Sequence, residues 1–226
     1  MDTPVKREVV VPGDILDGDG LKPGAGTFSD EGHIYASLLG IRNEQSGYVN
    51  VIPLGGRYIP RPGDAVIGKV VDVGSSYWLV DLNSPYPAPL RVNEVPWRVD
   101  FGDTARYMDI EDTILAKVLD VDETRRVSLS MKDQTSRKLT DGQIVEISHA
   151  KVPRVIGKKG SMIDLIETYT KCRMFVAQNG RIWIDGEMED MINAVAAVRM
   201  IEEQAQVMGL TEAVRSYLEG IYGKKE

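Results

Sequence analysis

Apolar positions along the chain change their period twice. Up to about Arg61 they come in short β-branched or aromatic runs broken by glycine and proline. Val9-Val10-Val11 stops at Pro12-Gly13-Asp14, and Leu21 to Thr27 reads as a turn cluster. Residues 34–40 and 48–53 are two further strand candidates. Nothing in this stretch has helical periodicity. A unit of ~60 residues with so many glycines has a small core, so it is expected to lean on a neighbour.

From Pro62 to about Lys138 the pattern gives five strand-like segments, over 65–73, 77–82, 89–92, 113–119 and 126–130. In the second, Trp78, Val80 and Leu82 share one face, and Tyr77, Leu79 and Asp81 share the other. Asp120 to Arg125 reads as a polar hairpin. Five short strands with no room for long helices fold most economically as a small closed barrel, the five-stranded OB fold.

From Leu139 the period lengthens. A strand over 143–149 leads into Val152-Pro153-Arg154-Val155-Ile156-Gly157-Lys158-Lys159-Gly160. Ser161 is placed to cap a helix, with Asp164 as the capping-box acid three residues on. Met162, Ile163, Leu165, Ile166 and Tyr169 give that helix its apolar face. Strands over 171–177 and 181–185 are joined by the hairpin dipeptide Asn179-Gly180. A helix from near Glu187 places Met188, Met191, Ile192, Val195, Val198 and Ile201 at helical spacing. Its early acids Glu187, Glu189 and Asp190 suit the positive end of the helix dipole. Met208-Gly209 breaks this helix, and 211–222 can form a last short one. The expected division is a β-domain over 1–61, a barrel over 62–138, an α+β domain over 139–206, and a helix and tail over 207–226.

Composition narrows the classes. The chain has 226 residues, 42% hydrophobic and 27% charged, which is an ordinary core-forming mixture rather than a disordered one. No apolar run approaches the ~18 residues of a membrane span. Met1 to Lys6 has no apolar stretch behind a basic one, so no secretory signal is expected. Cys172 is the single cysteine, which excludes an internal disulfide and a Cys-based zinc site. A reducing, cytoplasmic setting is the natural expectation. The formal charge is −7 and the pI about 5.0, which argues against coating nucleic acid by bulk charge. A local basic site remains compatible with it.

Catalytic chemistry finds little support. The two histidines, His33 and His149, are isolated, and no Ser/His/Asp set, metal spacing or phosphate-loop consensus is present. Asp109, Glu111 and Asp112 cluster, as do Glu187, Glu189 and Asp190. Hydrated faces and helix starts account for them better than two-metal chemistry. Cys172 beside Lys171 and Arg173 reads as a buried or half-buried residue rather than a reactive thiol. No catalytic residue, metal or cofactor is expected.

The candidate chemistry is recognition. Gly157 and Gly160 carry no side chain, so a nucleic-acid backbone can approach the main chain there. The free N–H groups of the following helix favour a phosphate. Lys158 and Lys159 add positive charge. From Ile147 to Ile163 there is no acid, yet Lys151, Arg154, Lys158 and Lys159 all fall within it. The plain alternative is a solvated turn.

Strand, short helix, glycine–basic–basic–glycine loop, helix, strand, strand, helix resembles a type I KH domain over about Gly142 to Gln206. The resemblance implies that the loop clamps the backbone of about four nucleotides, while an apolar groove receives bases. Val155, Ile156, Ile163 and the Phe175 region would supply that groove. The barrel is similar to the OB-fold RNA-binding domain named after the largest protein of the bacterial small ribosomal subunit. Gly68 to Val73 begins it and Arg126-Val127-Ser128-Leu129-Ser130-Met131-Lys132 ends it. Such barrels bind single-stranded RNA on strands two and three. The outward aromatics of that pattern would fall near Leu79 and Pro89, which stack poorly, and Tyr77 and Tyr86 are candidate replacements. Lys69, Arg91, Arg98, Arg106 and Lys117 are candidate backbone contacts. Trp78 reads as core, and Tyr86 as either loop packing or contact.

The order of the parts resembles the RNA-binding cap subunit of the archaeal exosome, with an N-terminal β-domain, this barrel and one KH domain. Val11 to Asp14, Gly24 to Phe28, Ile34 to Ser37, Val51 to Pro60 and Pro62-Gly63-Asp64 agree with it. The resemblance implies a non-catalytic subunit of a 3′-to-5′ RNA-degrading complex. Three caps, of this chain or with a related cap subunit, would sit on a ring of phosphate-dependent exonuclease subunits, the N-terminal domain docked on the ring. They would lead single-stranded RNA to its pore, with no membrane involved. The same modules also suit a transcription- or translation-associated RNA-binding factor, or a scaffold that no longer binds RNA.

Overall fold

The computed structural model describes residues 8–18, 20–205, 207 and 209–224. Met1 to Lys6, read above for a leader, and Met208, read as a helix breaker, lie outside the described residues. The chain divides into two compact units, Met1–Gly56 and Arg57–Glu226.

The first unit is all β. Its strands are β1 (Val9–Val10), β2 (Lys22–Pro23), β3 (Thr27–Asp30), β4 (His33–Ala36), β5 (Gly40–Gln45) and β6 (Tyr48–Pro53). They form a four-stranded sheet of order β1-β5-β6-β2 and a separate β3–β4 hairpin. Two expectations need correction. The stretch 34–40 splits at a bend into the end of β4 and the start of β5, and the turn cluster 21–27 contains β2 and the first residue of β3. Glycine-rich text hid these strands because their pairing comes from neighbours, not from local propensity. The core is small: Val10, Leu16, Ile34, Ala36, Val49 and Val51. His33 is hydrogen-bonded to Asp17 at 2.5 Å, and this bond chiefly holds the Asp17 carboxyl below its usual range.

The second unit begins with a barrel of β7 (Ala65–Val73), β8 (Tyr77–Asp81), β9 (Ala88–Arg91), β10 (Thr113–Val121) and β11 (Val127–Ser130). β7 pairs with β8 and β10, β8 with β9, β9 with β11 in parallel, and β11 with β10, which closes it. Register shifts in β7 and β10 after Val70 and Val118 leave Val71 and Leu119 pointing outward. Such bulges bend a strand around a small barrel. Trp78, Val80 and Leu82 are fully buried as the alternation requires. The Trp78 indole N–H donates to the carbonyls of Met108 (3.0 Å) and Thr104 (3.3 Å), so the core residue also pins the long β9–β10 connection. A further strand, β12 (Arg137–Leu139), pairs with β10 through Leu139 and Thr113, so the barrel's sheet runs on past Lys138.

The rest is a three-stranded sheet covered by helices. β13 (Gln143–Glu146), β14 (Arg173–Val176) and β15 (Arg181–Asp185) stand in the order β13-β15-β14, all antiparallel. α1 (Val152–Ile156), α2 (Ser161–Thr170), α3 (Met188–Glu203) and α4 (Leu210–Tyr222) share one core with them. α4 adds Leu210, Val214 and Leu218 to that core. On α3 the buried residues are Ala194, Ala197, Val198 and Ile201, whereas Met188 (70% exposed) and Ile192 (59%) face outward. The alanines take the face because α3 packs closely on α2 and the sheet, where bulk does not fit. Ser161 is the first residue of α2 and makes no side-chain cap. Gly160, with φ +87°, holds the N-cap position instead.

Barrel and sheet are welded within this unit. β7 pairs with β8 only from Lys69 onward, so residues 65–68 lack a β8 partner. The β14–β15 turn fills that gap. Asn179, fully buried, donates to the carbonyls of Ile67 (2.8 Å) and Leu82 (2.9 Å) and accepts from the Ile67 N–H (3.3 Å). The Gln178 N–H donates to the Ala65 carbonyl at 3.0 Å. Arg181 bonds the Asp81 carbonyl (2.8 Å) and carboxylate (2.5 Å) and, on its other side, Glu146 (2.8 Å). Ile67, Leu115, Leu139, Ala177 and Trp183 form an apolar cluster beneath. Arg137 lies over the Trp183 ring at 5.2 Å. The turn is a three-residue loop, 178–180, closed by Gly180 N–H to Ala177 carbonyl (3.2 Å) with Gly180 at φ +82°. Only Gly180, not Asn179, takes the left-handed conformation, which frees the asparagine side chain for the barrel.

Candidate nucleic-acid interface

α1 ends at Ile156 because Gly157 turns the chain at φ +74°, ψ 178°. A Cβ at Gly157 would lie 2.7 Å from the Met162 backbone nitrogen, so this glycine is required by close approach as well as by φ. Lys158 and Lys159 form one tight turn, Lys159 itself in the left-handed region at φ 55°, ψ 32°. Gly160 then opens α2. Both lysine side chains are exposed just before α2, whose first backbone N–H, that of Ser161, bonds the Lys158 carbonyl. Arg154 is exposed on α1 and Lys151 half-buried just before it. None of Lys151, Arg154, Lys158 and Lys159 has an acidic partner among the described residues. Asp164, in the first turn of α2, is the nearest acid to the Gly160 Cβ position, at 3.7 Å. The acid-free stretch therefore becomes a patch of uncompensated cations.

The expected apolar groove is narrower than the sequence implied. Ile156 and Ile163 are half-buried beside the turn. Val155 is fully buried in the core, and Phe175 packs against the barrel-facing cluster. Val155 is not free to meet a base, whereas Phe175 is half-buried. Val155 points inward because a five-residue helix buries one side against α2 and α3, and Phe175 lies on a strand whose far face meets the barrel.

On the barrel, strands two and three present Tyr77 opposite Arg91 and Leu79 opposite Pro89. Asp81, next on that face, is engaged by Arg181, so the face is open only at its Tyr77–Arg91 end. There Ser76, Tyr77, Pro89, Arg91, Val92 and Asn93 line a groove of about 520 Å³. Tyr86 is exposed on the β8–β9 loop, which settles it as surface rather than packing. Of the basic candidates, Arg91 has no acidic partner among the described residues. Lys69 pairs with Glu111, Arg98 with Asp100 (3.3 Å), Arg106 with Asp103 (3.1 Å) and Lys117 with Asp133 (3.6 Å). These pairs are solvent-exposed and individually weak, yet each reduces the field that a phosphate would feel. Lys69 and Lys117 stand on β7 and β10, away from the Arg91 strand, so the structure does not gather all five into one patch.

The acid clusters have structural employment. Burial pushes Asp112 up, but its bonds to Lys138 (2.5 Å) and the Asp109 N–H (2.8 Å) outweigh this and hold the carboxyl below its usual range. Asp190 accepts from the Tyr222 hydroxyl at 2.6 Å. Cys172 is buried against Gly186, and burial pushes its thiol up, opposite to a reactive cysteine. His149 meets the Tyr58 ring edge-on at 6.2 Å. Phe101 is 84% exposed in the turn Asp100-Phe101-Gly102-Asp103.

Barrel, helix-covered sheet and glycine–lysine–lysine–glycine turn together define a two-module RNA-binding protein of the S1–KH class. Family models agree along the chain. The exosome complex exonuclease RRP4 N-terminal region matches residues 9–43, the RRP4 S1 domain residues 57–114, and a KH domain residues 142–190. The chain is 42% identical over 217 residues to the exosome complex component Rrp4 of Picrophilus torridus, covering 96% of this chain and 94% of that one. It is 44% identical over 212 residues to the Rrp4 of Methanosarcina mazei, covering 94% and 82%. A crystal structure provisionally assigned as an exosome complex RNA-binding protein superposes with TM-score 0.67 at 41% identity, over 73% of this chain and 97% of that one. The chain belongs to the Rrp4 family of archaeal exosome components.

Proposed function

We propose that the chain is the non-catalytic RNA-binding cap of a 3′-to-5′ exosome, capturing single-stranded RNA and leading it to the pore of a nuclease ring. The observation that carries the RNA contact is the set of four cations at and before the GKKG turn without acidic partners among the described residues. Gly157 and Gly160 bring a phosphodiester against backbone N–H groups while Lys158 and Lys159 neutralise it. Membership of a family whose relatives are named exosome components supports the exosome over a ribosome or polymerase. Docking of the N-terminal β-domain on the ring is supported by a cross-strand row, Val9–Ile41–Ile52, with Val9 and Ile52 exposed on one face of its sheet. Three caps around one pore multiply weak sites into strong capture. No helix of the described residues is long and apolar enough to cross a membrane. A cytoplasmic setting is part of the proposal and is supported by the family's exosome components.

The test is binding of an unstructured RNA to the full chain across salt concentrations. Lys158→Asp with Lys159→Asp is expected to weaken binding by at least about tenfold and to lower the log–log salt slope by about 1.4, at ~0.7 per phosphate lost. Unchanged affinity and slope would remove the loop from the site. Phosphate-dependent RNA loss by the chain alone would refute the non-catalytic role.

A further inference from the structure

We propose that Phe101 is a base-stacking residue for single-stranded RNA, supplying from a loop the aromatic platform that strands β8 and β9 lack. The inference rests on the RNA-binding reading above. Where those strands would offer aromatic rings the chain has Leu79 and Pro89, and the one ring on the open end of the face is Tyr77. Phe101 lies at the tip of a turn from Asp100 to Asp103, closed by the Asp103 N–H to the Asp100 carbonyl at 3.1 Å. Gly102 at φ +87° makes that turn possible.

The turn is fixed beside the groove. The Gly102 N–H donates to the Ser75 carbonyl at 3.0 Å, and the Thr104 hydroxyl to the Gly74 carbonyl at 2.7 Å. Ser75 and Gly74 belong to the β7–β8 turn, whose next residues, Ser76 and Tyr77, line the groove. The Tyr77 ring lies against Gly74, where a Cβ would come within 2.5 Å of it. Behind the turn, Trp97 stacks on Tyr107 (6.2 Å, 15° between planes), and the Tyr107 hydroxyl donates to the Arg98 carbonyl at 2.9 Å. The loop is thus held before any ligand arrives.

Charge selects the occupant. Asp100 and Asp103, which would repel phosphate, are each paired with an arginine, Arg98 and Arg106. Arg91, directly opposite Tyr77 and without an acidic partner among the described residues, is left to meet the backbone. A ring opposite Arg91 and a second ring on the adjoining turn match a chain of bases on a phosphate backbone.

The experiment uses the full chain and an oligouridine longer than the ~4–16 nucleotides that one OB barrel covers. Phe101→Ala removes an exposed side chain, so the fold is unaffected, and RNA affinity is expected to fall roughly 5- to 100-fold. In Phe101→Trp affinity is retained, and the added indole emission is quenched by bound RNA. Wild-type affinity in Phe101→Ala together with unquenched emission in Phe101→Trp would overturn the proposal. Intact RNA binding with lost assembly onto nuclease ring subunits would also overturn it, in favour of a protein contact. A wild-type chain that binds no RNA would instead sink the broader function, so the two failures are distinguishable.

Discussion

Replacing Asn179 with alanine tests whether the barrel and the KH domain form one body. The side chain stands in for a missing strand partner on β7, with donated bonds of 2.8 and 2.9 Å and an accepted bond of 3.3 Å. Alanine removes all three. The Ile67 carbonyl keeps a long bond from Arg181 at 3.4 Å, whereas the Leu82 carbonyl and the Ile67 N–H lose the partner that Asn179 supplied. Two buried backbone groups at ~1–3 kcal/mol each give a loss of about 2–6 kcal/mol. A body of this size shifts by ~2–4 °C per kcal/mol, so Tm is expected to fall by about 4–24 °C. Calorimetry on the full chain reads both the shift and its shape. The joint barrel–KH transition is expected to separate into two as the weld weakens. Asn179→Asp keeps an acceptor for Ile67 but faces two carbonyls with a carboxylate, so it is at least as damaging. A Tm change below about 2 °C with a single transition would refute the assignment.

Other consequences are narrower. The Tyr222 phenol is pushed up to about 12, first by burial and then by its bond to Asp190. Because its folded pKa lies above the unfolded value of ~10, its contribution is complete below pH ~10 and is lost as pH rises through 12. Unfolding of Tyr222→Phe between pH 9 and 12 should therefore show a shallower decline than wild type, and parallel curves would contradict this. Ile201 is fully buried and Ile192 is exposed on the same helix. Ile201→Ala is expected to cost ~2–5 kcal/mol in denaturant unfolding, and Ile192→Ser within ~0.5 kcal/mol of nothing. Equal losses would mean that the face of α3 is misassigned.

Much of the protein was legible because its rules are local. The alternation in Trp78, Val80 and Leu82 fixes an inner face whatever the strand pairs with. Gly157 and Gly160 around two lysines mark a turn that backbone sterics alone require. The acid-free stretch from Ile147 to Ile163 is legible as a local concentration of Lys151, Arg154, Lys158 and Lys159, none of which has an acidic partner among the described residues. Where the local rule was weak, the reading slipped. Met188 and Ile192 share helical spacing with the core residues, yet small alanines took the packed face. Ser161 has a capping side chain, but Gly160 reached the N-cap position first.

What only the tertiary structure decided lies in contacts between distant segments. Asn179 is a turn residue by sequence, and it becomes a rung of the barrel because β8 leaves β7 unpaired before Lys69. Asp81 reads as an outward polar residue, and Arg181, 100 positions away, closes that end of the β8–β9 face. Lys69, Arg98, Arg106 and Lys117 are equal candidates in a list of basic residues. Their neutralisation by Glu111, Asp100, Asp103 and Asp133 is visible only in space. The physical reason is common to all three: period and propensity act over a few residues, whereas charge compensation and hydrogen-bond completion depend on which surfaces the fold brings together.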